Sequence, residues 1–148
     1  MSIGKLLYQD LPKFLSALRH LSSTSTVHFR GISLKLLSDN WITKYRARTF
    51  NDKEPELLDW LDENLRDGDV FFDVGANVGI YSIYAALRKP KATVYAFEPE
   101  YSNLHQLKQN ILENTPMSNI CPYALALDDK TGISQLHIQD TTPGAAKH

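Results

Sequence analysis

Hydrophobic positions in the second half of the chain alternate between two kinds of spacing. Val70 to Val74 (VFFDV) is a short apolar run interrupted by one acid, Asp73. Gly75 and Gly79 follow, and from Ile80 onward Ile83, Tyr84 and Leu87 recur at helical spacing. That order predicts a buried strand, a glycine-bearing turn and a helix. The succession then repeats. Thr93 to Phe97 predicts a second buried strand, and Tyr101 to Asn114 a helix carrying Leu104, Leu107 and Ile111, stopped by Thr115-Pro116. Ile120 to Leu127 predicts a third strand, and Ile133 to Ile138 a fourth, reached through a turn over residues 128–132. Strands alternating with helices point to an α/β fold.

The first half reads differently. Ile3, Leu7, Leu11, Phe14, Leu15 and Leu18 lie near one face of a helix over residues 3–21, which Pro12 breaks or restarts. Docking onto the domain or a partner is favoured over membrane-surface attachment, because Lys5, Lys13 and Arg19 beside Asp10 make a weak basic face. SSTST at residues 22–26 reads as a linker. Val27 to Phe50 predicts a β-hairpin: Phe29, Ile32, Leu34, Leu36 and Leu37 on one side of the turn signal Ser38-Asp39-Asn40, Trp41 and Ile42 on the other. Arg46 and Arg48 could mark an anion site, but alternating charges on an exposed strand more often form its solvated face, which is the reading favoured here. Asp52 to Leu65 predicts a helix with Pro55 in its first turn, Leu57, Leu58, Leu61 and Leu65 on one face, and Asp67-Gly68 at its end. The chain thus divides into a helix and linker (1–25), a hairpin and helix lead-in (26–66) and a principal unit (67–148).

Chemistry enters with the acids at the strand ends. Glycines let a ligand approach the backbone closely, and the first N–H groups of the following helix point at it. Such donors suit an anion, yet Asp73 ends the strand where a phosphate would be repelled, so a positively charged ligand fits better. S-adenosylmethionine, with its ammonium and sulfonium, is such a ligand. Glu98 ends the second strand 19 positions after Gly79, the interval at which an acid accepts hydrogen bonds from ribose hydroxyls. Taken singly, Asp73 reads equally as a helix cap, Asn77 as a turn residue at positive φ and Glu98 as a solvated acid. A nicotinamide dehydrogenase is the competing enzyme, but GANVG lacks the G-x-G-x-x-G spacing and Asp73 would face pyrophosphate.

Composition narrows the class further. The chain has 148 residues, 43% hydrophobic and 22% charged, which is enough for one domain with a core. A net charge of −1 gives no basic footprint for nucleic acid. Cys121 stands alone and no cysteine–histidine cluster marks a metal site. No apolar stretch is long enough to span a membrane and no signal peptide is evident, so a cytoplasmic protein is expected. His105 is expected on an exposed helix face and His137 on an edge strand, and neither has a carboxylate partner in sequence that would mark a general base. No catalytic residue is assigned.

FFDVGANVGIYSIYAA followed by VYAFEPEYSNLHQLKQNI, with PYALALDDKTG further on, resembles the S-adenosylmethionine site of class I methyltransferases of the FkbM type, over residues 57–138. The resemblance implies a Rossmann-like sheet. It further implies that Asp73, Gly75, Asn77 and Gly79 cradle the methionine portion and that Glu98 holds the ribose, with Pro99 bordering the adenine and Asp128 a weaker adenine candidate. It implies methyl transfer to a hydroxyl of a sugar or metabolite. The FkbM pattern carries a DxEGxE motif on its fourth principal strand, and no such motif occurs here. The expectation is therefore a sheet stopping after the third principal strand, with a free edge that an oligomer or partner covers. A chain of this extent is expected to bind cofactor without transferring methyl groups, and a non-catalytic binding or interaction protein is the alternative.

Overall fold

A computed structural model describes residues 23–114, 119–133 and 135–145. The helix expected over residues 3–21 and the stop at Thr115-Pro116 lie outside the described residues.

The chain opens with an antiparallel hairpin, β1 (Thr24–Phe29) and β2 (Ile32–Leu37). Its turn is Arg30-Gly31, both at positive φ, and not Ser38-Asp39-Asn40 as the hydrophobic pattern suggests. Asn40 instead caps helix α1 (Trp41–Arg48), its side chain accepting from Thr43 N–H at 2.9 Å. The expected second strand of the hairpin is therefore this helix. An Asn side chain that satisfies a free N–H of the first turn stabilises a helix start by about 1 kcal/mol, which outweighs the β-forming tendency of Trp41, Ile42, Thr43 and Tyr45.

Two short helices follow, α2 (Phe50–Lys53) and α3 (Pro55–Asn64), in place of one continuous helix. They break at Glu54, where the residue before a proline is pushed out of helical conformation. In α3, Leu58 and Leu61 are fully buried, each contributing about 1.5–3 kcal/mol. Phe50 packs edge-on to Phe29 at 5.6 Å and against Tyr84 at 5.6 Å, joining hairpin, α2 and the principal sheet layer. Asp62 of α3 accepts from Arg30 Nη1, Arg88 Nε and Tyr84 Oη, each at 2.8 Å. Burial alone would raise the Asp62 carboxyl, but the bonds from Arg30 and Tyr84 and the charge of Arg88 hold it below its ordinary value.

The principal unit is a three-stranded parallel sheet in the order β3 (Val70–Val74), β4 (Thr93–Phe97), β5 (Ile120–Tyr123). Helices α4 (Ile80–Arg88) and α5 (Tyr101–Glu113) form the two crossovers. Val94, Ala96, Ile83 and Leu107 are buried between sheet and helices. Polar side chains of α5 hold the outer edge of β2: Asn110 Oδ1 accepts from Leu37 N–H at 2.7 Å, and Asn114 both accepts from Lys35 N–H and donates to Lys35 O. These amides replace the partner strand that β2 lacks.

Three expectations change here. The third strand ends at Tyr123 rather than Leu127. The described residues of 133–138 form no strand, and Ile133 is wholly exposed, so His137 lies in irregular chain and not on an edge strand. The strand β3 is only partly buried, and on one face alone: Phe71 and Asp73 are half-buried, while Val70, Phe72 and Val74 point outward, Phe72 at 57% exposure. Phe72, Tyr95, Phe97 and Tyr123 stack on one another across this open face at 5.4–6.0 Å. An apolar alternation on both faces reads as full burial in sequence, but α4 and α5 cover one face alone.

Candidate functional site

The carboxyl ends of β3 and β4 are tied together by the loop between β3 and α4. Gly75 and Ala76 N–H both donate to Phe97 O, at 2.9 and 3.0 Å, and Glu98 N–H donates to Tyr123 O at 3.0 Å. Within five residues Gly75, Asn77 and Gly79 all take positive φ. The two glycines serve different ends. A Cβ on Gly79 would lie 2.8 Å from Leu107 Cγ, so only glycine lets α5 pack this close. A Cβ on Gly75 would meet nothing within 4 Å, so the space beside it is open.

That space belongs to a cavity of about 350 Å³ whose lining includes Asp73, Gly75, Asn77, Tyr81, Arg46 and Lys53. Its volume falls in the range of small-molecule sites. Ser82 Oγ donates to Asp73 Oδ2, fixing the carboxylate at the mouth of α4. Burial pushes the Asp73 carboxyl above its ordinary value; the bonds from Ser82 oppose this, and the Glu54 and Glu98 charges add to it. Burial together with the Glu54 carboxylate holds the Tyr81 phenol protonated well above its usual range. A partly desolvated acid whose ionised form is disfavoured gains most from a cationic ligand, which restores the charge balance that water no longer supplies.

The other expected site residues are placed differently. Asn77 faces the cavity, but its side chain is engaged: Oδ1 accepts from Val78 N–H at 2.9 Å and Nδ2 donates to Ala145 O at 2.9 Å. Glu98 is 1% exposed, its carboxylate accepting from Asn77 N–H at 2.7 Å and Glu100 N–H at 2.9 Å. Pro99 is half-buried, and Asp128 is exposed and accepts from Asp129 N–H at 2.7 Å. Neither Glu98, Pro99 nor Asp128 lines the Asp73 cavity. Replacing Glu98 by glutamine turns one acceptor into an amide donor against two backbone donors. The expected loss is about 1.5–3 kcal/mol of folding stability, read by urea denaturation. Unchanged stability would show that the two amides do not depend on the charge.

Several site residues have no sequence signal of that kind. Arg46 and Lys53, on α1 and α2, line the same cavity as Asp73. Residues 143–145 are clasped beside it: Asn40 Nδ2 donates to Pro143 O at 3.1 Å, Arg46 Nε to Gly144 O, and Gly144 N–H to Asn103 Oδ1 at 2.9 Å. The Asn40 cap is the sequence signal that places Arg46 on a helix rather than a strand.

No family model matches the chain. Over 72 residues it is 36% identical to the 31-O-demethyl-FK506 methyltransferase FkbM of Streptomyces tacrolimicus, a match taking in 49% of this chain and 27% of that protein. It is 30% identical over 81 residues to the methyltransferase sdnD of Sordaria araneosa, covering 55% of this chain and 31% of that one. The chain therefore spans less than a third of the length of these relatives. Among solved structures, TYW2 of M. jannaschii in complex with AdoMet superposes with a TM-score of 0.50 at 22% identity, over 71% of this chain and 44% of that chain. The chain has the α/β fold of the class I S-adenosylmethionine-dependent methyltransferases. Within that class its sequence resembles FkbM.

Proposed function

We propose that the chain supplies the cofactor side of an S-adenosylmethionine-dependent methyltransferase acting on a hydroxyl of a sugar or other metabolite. The observation that carries this reading is the Asp73 carboxylate, desolvated and held by Ser82, at the end of β3 beside an open Gly75 and a cavity of about 350 Å³. These residues fit the methionine end of the cofactor: Asp73 takes the ammonium, and Gly75 leaves room for the chain that carries it. Glu98 remains the proposed ribose acceptor through the second lone pair of each oxygen, and because it is enclosed, neighbouring loop residues must yield for a ribose to reach it. Pro99 is the proposed neighbour of the adenine.

When bound, the cofactor supplies a methyl group on a sulfonium. With its methionine end held by Asp73 and Gly75, that methyl group would be open to an acceptor hydroxyl, the carbon–sulfur electron pair passing to sulfur and the hydroxyl proton to solvent or a base. The protein's part is alignment of oxygen, carbon and sulfur, where orientation is worth about 7–11 kcal/mol of barrier. An oxygen acceptor is supported by the relative named as acting on 31-O-demethyl-FK506. A surface covering Phe72 and Phe97, from this chain or a partner, belongs to the proposal because parallel sheets are buried on both faces. Among the described residues no helix is long and apolar enough to cross a membrane, and a cytoplasmic setting suits the free thiol of Cys121.

Calorimetric titration with S-adenosylmethionine, S-adenosylhomocysteine and NAD tests the reading. Binding of the two methionine nucleotides in preference to NAD is expected. NAD binding with no response to either would overturn it.

A further inference from the structure

Residues 143–145 belong to no helix or strand, yet Gly144 and Ala145 are buried. Their peptide groups are bonded to side chains from α1, α5 and the loop before α4. Asn40, the N-cap of α1, donates to Pro143 O at 3.1 Å, and Arg46 Nε donates to Gly144 O. Gly144 N–H donates to Asn103 Oδ1 at 2.9 Å. Ala145 O accepts from Asn77 Nδ2 at 2.9 Å and from Asn103 Nδ2 at 3.5 Å, so one carbonyl joins the loop to the first turn of α5. Glu98 is held between the same two elements: it accepts from Asn77 N–H of the loop and from the N–H of Glu100, the N-cap of α5. The segment therefore spans both walls around a carboxylate that is 1% exposed. None of these bonds belongs to a helix or a sheet ladder, and water can replace each one when the segment lifts away.

We propose that residues 143–145 form a strap that closes the ribose side of the cofactor site and swings out to let a nucleoside reach Glu98. The inference rests on the proposed cofactor, and the test separates the two. Opening uncovers the Asn77 and Asn103 side-chain amides together with the Glu98 carboxylate. Two donors and an acceptor in one place suit ribose hydroxyls, each of which both donates and accepts. Only molecules with the strap open bind, so the apparent affinity is the intrinsic affinity scaled by that fraction. Glycine at 144 is what lets the strap close. Its φ is 92°, and a Cβ there would lie 3.1 Å from both Ile42 Cγ2 and Thr43 Cγ2 of α1.

Gly144→Ala strains the closed strap and leaves the open one free to relax. The variant is titrated with S-adenosylhomocysteine and with 5′-methylthioadenosine, which keeps the ribose and adenine but lacks the amino-acid end. The expected result is a gain of roughly five- to thirtyfold in affinity for both, the population shift that a left-handed residue bearing a Cβ imposes. Hydrogen exchange at the Gly144 and Ala145 amides should quicken in parallel. Asn40→Asp is a second, milder probe: its carboxylate still accepts from Thr43 N–H and caps α1, but it cannot donate to Pro143 O. It should shift affinity in the same direction by a smaller factor. Unchanged or weaker binding of both nucleosides in the two variants would overturn the strap and leave the cofactor reading intact. Gly144 exchange no faster in Gly144→Ala than in wild type would overturn it in the same way. If wild type and both variants bind neither nucleoside, the cofactor reading and the strap fall together.

Discussion

Gly79→Ala is expected to destabilise the fold by about 2–5 kcal/mol. Two separate effects add at this position. With φ at 80°, any residue bearing a Cβ sits in left-handed conformation, at about 1–2 kcal/mol. The new methyl would also lie 2.8 Å from Leu107 Cγ, on a fully buried side chain, and such overpacking costs about 1–3 kcal/mol. Against a total stability of about 5–15 kcal/mol for a domain, the loss is large. Gly75→Ala is the internal control. Its φ is 75°, but its Cβ meets nothing, so only the backbone cost applies. Urea denaturation of both variants should therefore rank Gly79→Ala clearly below Gly75→Ala. Equal midpoints would mean that the packing of α5 on the loop is looser than described.

Asp73→Asn is expected to weaken S-adenosylmethionine binding by roughly ten- to hundredfold, through loss of a charge-assisted bond worth about 1.5–3 kcal/mol. Its effect on the free protein should have the opposite sign. Because burial raises the folded-state pKa of Asp73, the folded protein binds more protons than the unfolded chain between the two pKa values. Stability from this group is therefore present below the unfolded value and lost as pH rises through the folded one. The neutral amide escapes that loss, so Asp73→Asn should be as stable as wild type at neutral pH, or more so. Cofactor affinity in the wild type should fall as pH drops through the raised Asp73 pKa, and this component should vanish in the variant. Thermal melts and titrations across pH check both halves. A variant that loses stability and retains affinity would make Asp73 a structural acid.

The part of the site built from consecutive residues was legible in the sequence. VFFDVGANVG encodes strand, acid and turn within one window, and Asp73, Gly75 and Asn77 line one cavity, whereas Gly79 packs against Leu107 and does not line it. The part assembled from distant segments was not. Trp41 to Arg48 contains β-branched and aromatic residues that read as a strand, and the decisive signal was one capping side chain, Asn40. Misreading that helix placed Arg46 on a solvated face when it is in fact turned toward the loop. Glu98 was legible as a strand-end acid, but its enclosure depends on the N–H groups of Asn77 and Glu100, whose directions follow from backbone geometry and not from residue type. The partly exposed stack of Phe72, Tyr95, Phe97 and Tyr123 was unreadable for a similar reason, since alternation shows which residues share a face and not whether anything covers it.

The central claim is that the loop from Asp73 to Gly79 holds the amino-acid end of S-adenosylmethionine. The most direct measurement is a titration of isotopically labelled protein with S-adenosylhomocysteine, followed by the backbone amide signals of Gly75, Ala76, Val78 and Gly79. The expected result is saturable shifts at these amides, larger than at any in β1 or β2, with no comparable response to NAD. Saturable binding that leaves these amides unmoved and shifts residues elsewhere would contradict it.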